Sequence, residues 1–187
     1  PQIVANWVRS WRWENPSDAG EILGARAPLP NLTFEGELEL YLGEVNLVIM
    51  PLPGHLPETC GIFLPKEKVL FSGDAVFHEN HPYMGDANLD VWRRTLEKIL
   101  SLDVEAILPG HGPLSTKEAV SKQMRYMERL HEVRSKWDPA DGWENAPKGI
   151  REEIEGILSE YPLHGRSREY MRDRVIQSIA VSGAPQF

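Results

Sequence analysis

Three apolar stretches of this chain each break off at a glycine followed by an ionisable residue. His55 ends Pro51-Leu52-Pro53-Gly54-His55, Asp74 ends Leu70-Phe71-Ser72-Gly73-Asp74, and His111 sits in Ile107-Leu108-Pro109-Gly110-His111-Gly112. A short apolar run bounded by turn residues reads as a buried strand. The glycine before each polar residue lets the backbone turn sharply and approach a ligand closely. Strand ends of one sheet that converge on one edge are where sheet proteins place their sites. Taken singly, each piece is an ordinary turn with a hydrogen-bonded polar residue. Together, two imidazoles and a carboxylate suit zinc or iron, and a carboxylate can bridge two metals.

The rest of the chain supplies the frame for such a sheet. Phe34, Gly36, Leu38, Leu40 and Leu42 alternate with Glu35, Glu37, Glu39 and Tyr41, the period of a half-buried strand with a charged face. Gly43-Glu44 turns the chain into Val45–Met50. Gly61–Leu64 and Val69–Ser72 flank the turn Pro65-Lys66-Glu67-Lys68 as a hairpin. Asn88 or Asp90 caps a helix facing inward with Leu89, Trp92, Leu96, Ile99 and Leu100. Val104–Leu108 is a buried strand, and Ser115 is expected to cap a long helix with Ala119, Met124, Met127, Leu130 and Val133 inside. After a loop over 137–149, Ile150–Leu158 and Glu169–Ile179 read as amphipathic helices. Arg166, Arg168, Arg172 and Arg174 make the last of these basic, a solvated or salt-bridged face. Near the start, Gln2–Ala5 reads as a short strand. The order of elements predicts a layered α/β (α+β) body over 1–136 with a helical C-terminal appendage over 137–187.

Composition narrows the class of protein. With 187 residues, 41% apolar and 26% charged, the chain is ordinary for a globular domain. A net charge of −8 disfavours nucleic-acid backbones. No apolar run approaches the roughly 18 residues of a membrane span. A single cysteine, Cys60, leaves no intrachain disulfide to form and points to a reducing, cytoplasmic setting. No phosphate-binding loop, dinucleotide fingerprint or Gly-x-Ser-x-Gly elbow is present.

Pro53-Gly54-His55-Leu56-Pro57-Glu58, Val69-Leu70-Phe71-Ser72-Gly73-Asp74-Ala75-Val76-Phe77 and Ile107-Leu108-Pro109-Gly110-His111-Gly112 resemble the last three metal motifs of the metallo-β-lactamase superfamily. The resemblance runs from about Pro1 to near Lys136. It implies a four-layer αββα sandwich, here its C-terminal half. It also implies His55 as a ligand of a first metal, Asp74 as the bridge and His111 as a ligand of a second. The cofactor implied is zinc, two per complete site, with iron or manganese as alternatives. His81-Pro82-Tyr83-Met84-Gly85-Asp86 is similar to a segment of the hydroxyacylglutathione-hydrolase and cyclase-like branch, which implies substrate contacts from His81, Tyr83 and Asp86.

Two departures qualify the resemblance. Gly-His-Leu-Pro-Glu stands where the family usually has Gly-His-Thr-Pro-Gly, so the hydrogen bonding around His55 is expected to differ. The family's His-x-His-x-Asp-His motif is absent, and with it most ligands of the first metal and the aspartate that orients the attacking water. The expectation is the later half of a metal-dependent hydrolase, acting on an ester, thioester, lactone, amide or phosphoester of a small molecule. Its expected partners are a complementary N-terminal half or partner chain and further copies of itself, without nucleic acid or membrane. The alternative is a non-catalytic half-domain serving as a subunit or interaction module. An iron oxidoreductase relative ranks below both, because neither a flavin module nor a carboxylate-rich second site is visible.

Overall fold

The computed structural model describes residues 32–84 and 87–181. The predicted strand at Gln2–Ala5 lies outside them. From Gly36 onward the chain forms one compact unit. Its described residues build one five-stranded sheet and four α-helices, the α/β class expected from the sequence.

The strands are β1 (Leu38–Leu42), β2 (Val45–Pro51), β3 (Cys60–Leu64), β4 (Val69–Phe77) and β5 (Ala106–His111), paired in chain order. The first four meander antiparallel; β5 joins β4 in parallel. A parallel neighbour needs a crossover, which is supplied here by α1 (Leu89–Ser101). The helices α2 (Lys117–Lys136), α3 (Lys148–Leu158) and α4 (Arg168–Val181) follow.

Register gives the sheet two unlike faces. Val48, Phe63, Leu70 and Ile107 lie side by side across the strands and are buried. They belong to one core with Trp92, Leu96 and Ile99 of α1 and Val120, Met127 and Leu130 of α2, continuing through Ile154 and Ile157 of α3 to Val175 and Ile179 of α4. The neighbouring row, shifted by one residue, is Ile49, Ile62, Phe71 and Leu108. Side chains alternate across a strand, so this row points the other way. It is also apolar, yet Ile62 is 39% and Phe71 42% exposed.

Several element boundaries differ from the sequence expectation. β1 begins at Leu38 rather than Phe34, because the chain bends at Glu35-Gly36 and Gly36 takes a φ of +79°. β5 continues through Pro109-Gly110 to His111. Asn88 caps α1, its side chain accepting from the Val91 amide. Thr116, not Ser115, caps α2, because Ser115 exchanges both backbone hydrogen bonds with Ile107 and so extends the sheet edge. Leu100 and Met124, expected inside, are only partly buried. The stretch 137–149 contains two short 3-10 turns, Pro139–Asp141 and Trp143–Asn145. Among the described residues no helix is long and apolar enough to cross a membrane.

Candidate metal centre

The loop leaving β2 carries His55 against the start of α1. Gly54 lies so close to Trp92 that a Cβ on it would overlap the Trp92 backbone and side chain, and its φ of +138° is one that L side chains rarely adopt. Thr95 donates its hydroxyl to the Pro53 carbonyl at 2.5 Å, and the Asn88 amide donates to the Gly54 carbonyl at 2.8 Å. One helix therefore holds the loop on both sides of its glycine. The His55 ring is buried among Phe77, Tyr83 and Trp92, with centroids 5.4–5.9 Å away. Its Nδ1 lies 2.9 Å from the Tyr83 carbonyl oxygen. A carbonyl can only accept, so Nδ1 carries the hydrogen and Nε2 of the neutral ring presents its lone pair.

Asp74 sits where β4 stops following β5. The parallel register is regular from Val69 to Phe71, then shifts between Phe71 and Gly73 and again between Gly73 and Phe77. Gln123 of α2 makes up for lost ladder bonds there. Its Oε1 accepts from the Phe77 amide at 2.8 Å and its Nε2 donates to the Ala75 carbonyl at 3.1 Å. The Trp92 indole donates to the same carbonyl at 2.7 Å. On the other side, β5 brings Gly110 against Asp74, and a Cβ on Gly110 would overlap Oδ1. His111 follows, its ring stacked on Phe77 with centroids 5.1 Å apart.

These approaches bring the three strand-end residues together. His55 Nε2 is 3.5 Å from Asp74 Oδ2, and His111 Nε2 is 3.6 Å from Asp74 Oδ1. Both distances exceed the roughly 2.7–2.9 Å of a charge-assisted hydrogen bond. They are close to the separation of about 3.3 Å kept by two ligands of one tetrahedral zinc at bond lengths of about 2.0–2.1 Å. Each imidazole faces a different oxygen, so the carboxylate lies between two nitrogen donors as a bridging ligand does. The donor chemistry fits, but the set is incomplete. Among the described residues no group of three or more His, Cys, Asp and Glu side chains gathers closely enough to hold an ion alone.

The remaining candidates are placed differently. Asp86 lies outside the described residues. His81 is buried between helices: its Nδ1 is 3.3 Å from the Tyr126 hydroxyl and its Nε2 is 3.3 Å from the Leu158 carbonyl. Burial holds this ring below the usual histidine range despite the Leu158 carbonyl, and the neighbouring His164 and Arg168 add to the effect. With both nitrogens engaged by protein, His81 ties its loop to α2 and the end of α3. Tyr83 is half-buried beside His55, and its hydroxyl accepts from Arg174 Nη1 of α4 at 2.8 Å. Arg168 of the basic helix does pair with Glu155, as a salt-bridged face would. Arg174 instead covers the Tyr83 ring, with its guanidinium carbon 4.6 Å from the centroid. Gln123 is a supporting residue that sequence reasoning missed. Its signal was present, since Ala119, Gln123, Met127 and Leu130 share one helical stripe.

The profile of the metallo-beta-lactamase superfamily matches residues 3–111. A beta-lactamase-like protein 2 homolog of Caenorhabditis elegans is 33% identical over 90 residues, covering 48% of this chain and 30% of that protein. A metallo-beta-lactamase type 2 of Bacteroides fragilis is 27% identical over 115 residues, covering 58% and 46%. Among solved structures, a metallo-beta-lactamase family protein from Thermus thermophilus superposes with a TM-score of 0.57 at 17% identity, covering 91% of this chain and 60% of that one. A metallo-beta-lactamase from Pontibacter korlensis gives 0.51 at 22% identity, covering 59% and 54%. These two share the fold. The chain belongs to the metallo-beta-lactamase superfamily, whose members are generally hydrolases and typically bind metals such as zinc. It spans less than half the length of the curated relatives named here.

Proposed function

We propose that this chain supplies the later half of a metal-dependent hydrolase centre. The observation that carries the reading is Asp74, whose two oxygens face two different imidazoles at 3.5 and 3.6 Å. His55 and Asp74 would hold one ion, and Asp74 and His111 the other, with zinc as the first candidate and iron or manganese as alternatives. Bound metal supplies a Lewis acid and acidifies a water toward hydroxide near neutral pH. The chain's own part is to keep the His55 lone pair aimed at the site, to hold Asp74 clear of the β4–β5 ladder, and to wall one side with Phe77 and Trp92.

Two donors per ion fall short of the three protein ligands usual for a catalytic zinc. The missing ligands are assigned to a complementary N-terminal half, in the same polypeptide or on a partner chain. The apolar row Ile49, Ile62, Phe71 and Leu108 supports this, because a partner layer would cover it. The substrate class is a small-molecule ester, thioester, lactone, amide or phosphoester. A net charge of −8 argues against a nucleic-acid backbone.

A second reading, a non-catalytic half-domain used as a subunit, draws on the same shortage of ligands. Metal uptake separates the two. With the complementary half supplied, the chain is expected to bind zinc, and Asp74→Ala or His111→Ala to weaken binding by more than about tenfold. Equilibrium dialysis with metal analysis reads this directly. Zinc uptake unchanged in Asp74→Ala overturns the proposed site. No zinc uptake by the parent chain leaves the subunit reading in its place.

A further inference from the structure

The contact between α4 and the metal-centre loop has a direction. Arg174 donates from Nη1 to the Tyr83 hydroxyl at 2.8 Å and covers the ring of the same tyrosine at 4.6 Å. Its other donors are engaged on its own helix: Nε and Nη2 lie 3.2 and 3.1 Å from the Tyr170 hydroxyl. Tyr170 therefore braces the guanidinium from behind. Tyr83 in turn meets His55 twice, through its carbonyl at 2.9 Å from Nδ1 and through its ring, 5.9 Å between centroids and nearly edge-on. A planar guanidinium that both stacks and donates fixes the position and the rotation of a phenol together.

We propose that Arg174 is a positioning residue for His55. By clamping Tyr83 from α4, it holds the Tyr83 carbonyl on Nδ1, and so keeps the Nε2 lone pair of His55 aimed at Asp74. The inference rests on the metal-centre reading for its purpose, but not for its geometry. A partner of this kind acts on a ligand through tautomer and ring orientation, and its removal typically weakens metal binding by about 10–100-fold. The helical C-terminal segment is on this view part of the site, linked to it by one tyrosine.

The test uses the full chain without metal, with its histidine ring nitrogens followed by long-range proton–nitrogen NMR. The His55 signals are assigned by their loss in His55→Gln. The parent chain is expected to show His55 as the Nδ1–H tautomer with a slowly exchanging ring proton. Tyr83→Phe removes only the hydroxyl, and Arg174→Met keeps the stem while removing the guanidinium. Each is expected to speed exchange of the His55 ring proton at least about tenfold and, with the complementary half supplied, to lower zinc affinity by about tenfold. The double variant should be no worse than either single one, because both break the same link. Arg174→Lys should restore much of the protection. Unchanged His55 tautomer and exchange in both single variants overturns the proposal. So does a loss of amide protection along the whole of α4 that accounts for the His55 change. If the parent chain binds no zinc even with the complementary half supplied, the metal-centre reading fails, while the ring measurement still judges the clamp.

Discussion

At Gly110 the site depends on the absence of a side chain. Its hydrogen faces Asp74 Oδ1 where a methyl group would overlap, with the backbone of Gly73 close behind. Gly110→Ala must therefore displace either the carboxylate or the β5 end, an overpacking change that costs about 1–3 kcal/mol. Gly149, in the first turn of α3, has nothing within 4 Å of an added Cβ. Gly149→Ala should raise stability by up to about 1 kcal/mol. Urea unfolding of the two variants beside the parent chain checks the contrast. A Gly110→Ala midpoint equal to that of the parent would mean that the close approach is not tight. The glycine before His111 was legible in the sequence as punctuation. The atom it makes room for was not, because Asp74 lies 36 residues away on another strand.

The second half of β4 keeps its shape through groups borrowed from two helices. Beyond Gly73 it slips out of register with β5, and α1 and α2 send Trp92 and Gln123 to the exposed ladder positions. Asp74 stands at the start of this irregular stretch, so helix side chains help set where a proposed ligand sits. Gln123→Leu keeps the volume but takes the acceptor from the Phe77 amide. The Ala75 carbonyl keeps the Trp92 indole, so the loss falls on one buried N–H and is expected to cost about 1–3 kcal/mol. It should also raise amide exchange at Phe77 more than at Leu70, which lies in the regular ladder. Equal protection at both amides in this variant would show that the strand end holds itself. Gln123 lies on the buried stripe of α2, a position that sequence reasoning did not single out. The stripe does not reveal which backbone atoms the amide meets, because that depends on how α2 crosses the sheet.

The described residues from Gly36 onward form a sheet with helices packed on one face. The apolar row on its other side, with Ile62 and Phe71 exposed, is the kind of patch that marks an interaction surface. At micromolar concentrations the chain is expected to associate, and Ile62→Thr with Phe71→Thr should suppress that association. Sedimentation velocity across a concentration series reads the outcome. A parent chain that stays monomeric throughout would show that this face needs no cover. The half-sandwich resemblance gives no residues of this face; they follow from the strand register.

The sequence by itself determined the strands, the helices and the three strand-end residues, because local period and glycine placement are properties of neighbours along the chain. Alternation marks β1, apolar runs broken by glycine or a turn mark β2 to β5, and a 3.6-residue stripe marks α1 to α3. It also determined the family, since the motifs around His55, Asp74 and His111 are contiguous runs. Only the tertiary structure decided that Asp74 gives one oxygen to each imidazole, that His81 turns inward, and that Arg174 leaves the salt-bridged face to stack on Tyr83. Each of these depends on a contact between residues 19 to 91 positions apart. Such contacts are set by how helices cross a sheet, and no spacing along the chain encodes that directly.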